Sequence, residues 1–136
     1  MKRRIIAPWF SIVVAGWLSG PLIASGSVAD VPDGIRNLVG TKCAVCHKGI
    51  FAPRGLKLGP DQILKNVLDI PSKGKPQIKL VDTAAPESSY ILMKILGVEG
   101  IKGKKMPPAG KPQLTDEEIG LFRDWVMSLK TNGYPS

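Results

Sequence analysis

Cys43-Ala44-Val45-Cys46-His47 is the stretch from which the rest of this chain is read. Two thiols three positions apart, followed at once by an imidazole, form the C-x-x-C-H signature of covalent haem attachment. The spacing has a chemical reason. Each thiol adds across one vinyl group of a haem, and the two thioether bonds fix the porphyrin to a single turn of backbone. A helical turn brings residues three and four apart onto one face, so Cys43, Cys46 and His47 are placed to meet the macrocycle together. His47 then offers a neutral imidazole nitrogen as an axial ligand to the iron.

The chain has two cysteines and one histidine in 136 residues, and all three lie in this stretch. A zinc site needs four ligands, usually two pairs, and there is no second pair. A thioredoxin-like C-x-x-C belongs at a helix start within a βαβ pattern, which the sequence lacks. A disulfide between residues three apart closes too small a loop to stabilise much through chain entropy. None of the three explains the adjacent histidine.

Toward the N-terminus, Lys2, Arg3 and Arg4 form a basic opening, Ile5 to Ile23 is mostly apolar, and small residues follow at Ala24-Ser25-Gly26-Ser27-Val28-Ala29. This is the three-part layout of a secretory signal, with Ser27 and Ala29 as the small residues before a cut ahead of Asp30. Ala24 and Gly26 offer a second cut. The competing reading is an uncleaved anchor, but Pro8, Gly16, Gly20 and Pro21 interrupt the apolar run and leave it short of a span of about 20 residues. The division expected is a signal peptide over 1–29 and one small domain over 30–136. The formal charge is +8, and residues 1–29 carry three of the 19 basic residues and none of the 11 acidic ones, so the domain itself is at +5. Part of the basicity therefore belongs to the signal. No nucleic-acid motif accompanies it, and nucleic-acid binding is not expected.

In chain order, Pro32 and Asp33 open a helical segment with Ile35, Leu38 and Val39 at helical spacing, leading into Cys43. Gly34 and Gly40 argue against a long unbroken helix. Gly49 to Pro60 reads as a loop. A second helix is expected over Asp61–Ile70, on Ile63, Leu64, Val67 and Leu68. Residues 71–76 read as a basic turn, and Gln77–Val81 as extended but too short for a sheet. A third helix is expected from Ser88 or Ser89 to Leu96, ended by Gly97 and Gly100. The last helix carries the clearest signals: Thr115 as N-cap with Glu118 three residues on, a capping box, and Asp116 and Glu117 at the positive end of the helix dipole. Its stripe is Ile119, Phe122, Val126 and Leu129, flanked by Trp125, with Gly133 as its stop. Phe122 and Trp125 are expected against the first helix and the haem edge. The fold class is all-α: three to four short helices wrapped around one covalently bound haem.

On Cys43-Ala44-Val45-Cys46-His47, on Gly59-Pro60, and on Lys105-Met106-Pro107-Pro108 before a Trp-containing final helix, the chain resembles the class I cytochrome c family, as a small bacterial monohaem domain. The resemblance spans essentially all of 30–136. It implies one covalent haem c with its iron between His47 and Met106, and a carbonyl of Pro60 accepting the other ring N–H of His47. Pro60 as a simple helix starter is the competing reading. For Met106 there is also a physical argument, since Pro107 and Pro108 stiffen the loop presenting its thioether. Its rivals are Met93 and Met127, both in helices where methionine fills core gaps, and the lysines.

The function expected is that of a periplasmic one-electron carrier rather than an enzyme. A neutral thioether opposite an imidazole favours the ferrous state and raises the potential relative to two imidazoles. Lys42, Lys48 and Lys57, with Lys102, Lys104 and Lys105, would rim the haem edge and steer an acidic redox partner, or else form an ordinary solvated surface. Two alternatives stay open. One is a haem subunit of a larger dehydrogenase or oxidase, membrane-associated through its partners or an uncleaved N-terminus. The other is a gas- or peroxide-binding monohaem protein, if Met106 does not ligate the iron; no distal histidine is available for it, and Arg54 and Arg123 have no assigned place.

Overall fold

The computed structural model describes residues 31–130. The expected signal peptide over 1–29 and the stop at Gly133 lie outside the described residues. Among the described residues four α-helices run in order: α1 Asp33–Leu38, α2 Ile63–Val67, α3 Tyr90–Leu96 and α4 Asp116–Ser128. Among the described residues there is no strand, only two isolated bridges, Leu68 with Val81 and Pro71 with Lys79. The domain is all-α. No helix among the described residues is long and apolar enough to cross a membrane.

α1 begins directly after Pro32, whose carbonyl accepts the N–H of Arg36 at 2.8 Å. As expected, the helical path continues past Gly40 toward Cys43. It widens into a π-helical turn over Val39–Cys43 and delivers the thiol segment without a break. Ile35, Leu38 and Val39 are all buried on this one rod. Gly34 has a packing role: a Cβ there would stand 3.3 Å from Leu121 Cδ2, so its absence lets α4 close on α1.

α4 is the other half of that pair. Its capping box forms as expected, Glu118 N–H donating to Thr115 Oγ1 at 3.2 Å and Thr115 N–H to Glu118 Oε2 at 2.9 Å. Two orphan donors of the helix end are thereby satisfied. Phe122, Trp125, Val126 and Leu129 are buried, and the Phe122 and Trp125 rings meet edge to face with centroids 5.2 Å apart. These side chains share one cluster with Ile35, Leu38, Val39, Ile63, Val67 and the buried face of α3.

α2 is shorter than its hydrophobic period suggests. After Val67 the chain turns extended at Leu68, and Asp69 adopts a left-handed φ of 52°. The main chain of 67–72 instead pairs with 78–81: Val81 N–H to Val67 O at 3.0 Å, Asp69 N–H to Val81 O at 2.8 Å, Leu80 N–H to Ile70 O at 2.7 Å. Asp69 locks this turn. Lys79 Nζ and Thr83 Oγ1 both donate to its carboxylate, at 2.7 and 2.6 Å. α3 ends as expected, at Gly97 with φ 70° in the left-handed cap, whose N–H reaches the Met93 carbonyl. Ser89 stands at its N-cap but turns its hydroxyl to Asp82 N–H at 3.0 Å, so the helix begins at Tyr90. Leu96, the last residue of α3, is 42% exposed.

Candidate functional site

The turn after α1 has the local geometry that the C-x-x-C-H spacing calls for. Ala44 N–H bonds Val39 O at 2.8 Å, then Cys46 and His47 N–H both reach the Cys43 carbonyl, at 3.2 and 2.9 Å. Cys43 and His47 are thus one helical turn apart, with Cys46 between them. Both thiols are free; Cys43 is half-buried against the core and Cys46 exposed. Burial pushes the Cys43 thiol up to about 11, so it stays protonated at neutral pH. Among the described residues no group of three or more His, Cys, Asp or Glu side chains could hold a bare metal ion.

His47 is fixed from two sides by one segment. Its carbonyl accepts the Leu58 N–H at 2.7 Å, and its ring Nδ1 lies 3.0 Å from the Leu56 carbonyl. A carbonyl only accepts, so Nδ1 carries the proton and the lone pair sits on Nε2. The sequence reading gave this contact to a carbonyl of Pro60; the carbonyl within reach of Nδ1 here is that of Leu56. The 3-10 turn Pro53–Gly55 reverses the chain and brings Leu56 back to the histidine it left nine residues earlier. Pro60 packs instead toward α1, where a Cβ at Gly40 would lie 3.7 Å from its Cγ. Nothing in the Gly-Pro dipeptide distinguishes these two roles, and no local signal marks Leu56.

Met106 is half-buried, in the loop between α3 and α4. Its N–H donates to the Lys94 carbonyl on the last turn of α3, at 2.8 Å. Of the two rivals, Met93 is half-buried against the core and Met127 is 39% exposed on α4. The loop after Met106 is gathered by Gln113, which sequence reasoning passed over. Its Nε2 donates to the carbonyls of Pro107, Pro108 and Lys111 at 3.2, 3.0 and 2.9 Å. The Gln113 carbonyl in turn accepts from Lys42 Nζ at 2.8 Å. The residue before Cys43 is thereby tied to the loop that follows Met106. An open cavity of about 500 Å³ lies beside this loop, lined by Lys104, Lys105, Pro107, Ala109, Gly110 and Gln113.

The expected basic rim divides. Lys42 is not a free surface cation: it is half-buried, donating to Gln113 and paired with Glu118 at 3.2 Å. Lys48, Lys57, Lys102, Lys104 and Lys105 are exposed. Arg54 is exposed at φ 57°, its carbonyl taken by Lys73 Nζ. Arg123 lines a smaller cavity of about 280 Å³ with Glu87, Leu92, Met93, Leu96, Val98 and Met127.

The residues present suit a covalently held haem. They supply two unpaired thiols on one turn and a histidine whose Nδ1 donates to a carbonyl, which in the neutral ring leaves Nε2 with its lone pair. No family model, no curated protein and no solved structure matches the chain.

Proposed function

We propose that the chain is a monohaem c-type electron carrier of the class I cytochrome c type. Cys43 and Cys46 would hold the haem through thioethers, and His47 Nε2 and the Met106 sulfur would ligate its iron. The observation that carries this reading is the His47 ring: its tautomer is set by the Leu56 carbonyl in the sense that iron ligation requires, on the same turn as two free thiols. When bound, the haem supplies the one-electron iron couple. The Leu56 carbonyl holds the Nδ1 proton and the plane of the ring. The stiff Met106-Pro107-Pro108 segment, braced by Gln113, presents the thioether and limits movement between redox states. With both iron positions taken by side chains, such a site would transfer electrons rather than bind substrates. The N-terminal pattern supports export, and hence a periplasmic carrier whose partners are other redox proteins. Exposed Lys48, Lys57, Lys102, Lys104 and Lys105 would favour partners with an acidic face.

The test is a redox titration of the exported protein. One reversible one-electron transition is expected, at a potential that falls in Met106→His, where a second imidazole replaces the thioether. The absence of any reversible transition would refute the proposal.

A further inference from the structure

One residue of α3 grips the Met106 loop twice. Lys94 stands in the last turn of the helix, where the final carbonyls have no partner inside it. Its carbonyl takes the Met106 N–H at 2.8 Å. Its ammonium donates to the carbonyl of Lys102 at 3.0 Å and to that of Lys104. One turn earlier on the same face, the hydroxyl of buried Tyr90 accepts the Lys102 N–H at 3.0 Å. That hydroxyl is seated against Gly74, where a Cβ would fall only 2.7 Å from it. The gripped segment needs such help. It carries three exposed lysines in four positions and a glycine at φ 76°, and it has no helix or strand of its own.

We infer that Lys94 is the positioning residue that keeps Met106 on the iron and so closes the sixth coordination position to outside ligands; this rests on the reading of Met106 as axial ligand. A loop that carries a ligand exchanges between a closed state and a rarer open one. Any bond made only in the closed state lowers the open population by its own strength. The two bonds of the Lys94 ammonium are of this kind, because their acceptors are loop carbonyls two and four residues before the ligand. The main-chain bond from Met106 to Lys94 survives removal of the side chain. The variant loop therefore still forms, and opens more often.

The experiment uses the full, haem-loaded chain in the ferric state, with cyanide as the outside ligand. Lys94→Met keeps the apolar stem and removes the donors. It is expected to retain the methionine-to-iron charge-transfer band and to bind cyanide about tenfold faster or more, the worth of charge-assisted hydrogen bonds. Lys94→Arg restores donors to the same carbonyls and is expected to return the rate to near that of the unaltered protein. Amide hydrogen exchange at Met106 should quicken in Lys94→Met, and Lys94→Leu, which also lacks donors, serves if that variant does not accumulate. Cyanide binding and Met106 exchange unchanged in Lys94→Met, or an equal opening in Lys94→Arg, would overturn the inference alone. An unchanged spectrum in Met106→Ala would overturn the axial reading and this inference with it.

Discussion

The ammonium of Lys42 donates to the main-chain carbonyl of Gln113 at 2.8 Å, joining the residue before the first thiol to the loop that leads from Met106 into α4. The same ammonium lies 3.2 Å from the Glu118 carboxylate, with both side chains largely sheltered. Glu118 is also half of the α4 capping box, so one cation connects the end of the α1 segment, the loop and the start of α4.

Loss of this connection should be measurable. Lys42→Met is expected to lower stability by about 1 kcal/mol, above the usual worth of an exposed pair because the carbonyl loses a charged donor. Gln113→Ala, which frees three carbonyls of the Met106 loop, should cost a similar amount. Urea unfolding of the two single variants and the double variant would show less than additive losses if they act through one junction.

The capping box gives a second, independent loss. Thr115→Ala should destabilise by about 1 kcal/mol. The urea midpoint should fall with an unchanged slope, because the helix end frays without altering the surface buried by the fold.

Acid should act through the turn that ends α2. Burial alone would raise the Asp69 carboxyl, but hydrogen bonds from Lys79 and Thr83 outweigh it and hold the group below its ordinary value. A depressed carboxyl contributes stability that is fully present above its unfolded value and is lost as pH falls through its folded value. Lys79 is raised by its bonds to Asp69 and Asp82, so its share is present below its unfolded value and is lost in strong alkali. Asp69→Asn keeps a residue that tolerates the φ of 52° while removing the charge. It should flatten the acid limb of the stability profile, and an unaltered limb would show that other carboxyls dominate it.

The two thiols should differ in reactivity. Cys46 is exposed, whereas Cys43 is half-buried and pushed up to about 11. The thiolate is the reactive form, so Cys46 should be alkylated first near neutral pH. Modification of Cys43 should accelerate as pH rises toward its own value. Peptide mapping after timed alkylation of the haem-free protein checks this, and equal rates at the two positions would contradict it.

Much of this arrangement was legible in the residues, and unevenly so. The start of α4 and the end of α3 were readable because Thr115, Glu118 and Gly97 act through bonds to near neighbours. The thiol turn was readable for the same reason. α2 was overestimated because Leu68 satisfies the helical period, while what ends the helix is pairing with Val81, thirteen residues on. The Leu56 carbonyl beside His47 was not legible because a backbone acceptor leaves no mark in side-chain sequence. Lys94 and Gln113 were missed for a related reason: their partners are main-chain carbonyls of a loop whose path only the folded chain defines.

On the proposed function, Cys43, Cys46, His47 and Met106 together hold one low-spin haem. The most direct measurement is the optical spectrum of the exported protein, made with haem-attachment machinery, in both redox states and with carbon monoxide. A c-type low-spin spectrum unaffected by carbon monoxide is expected, with a methionine-to-iron band that disappears in Met106→Ala. A high-spin spectrum that shifts with carbon monoxide, or no covalent haem at all, would contradict it.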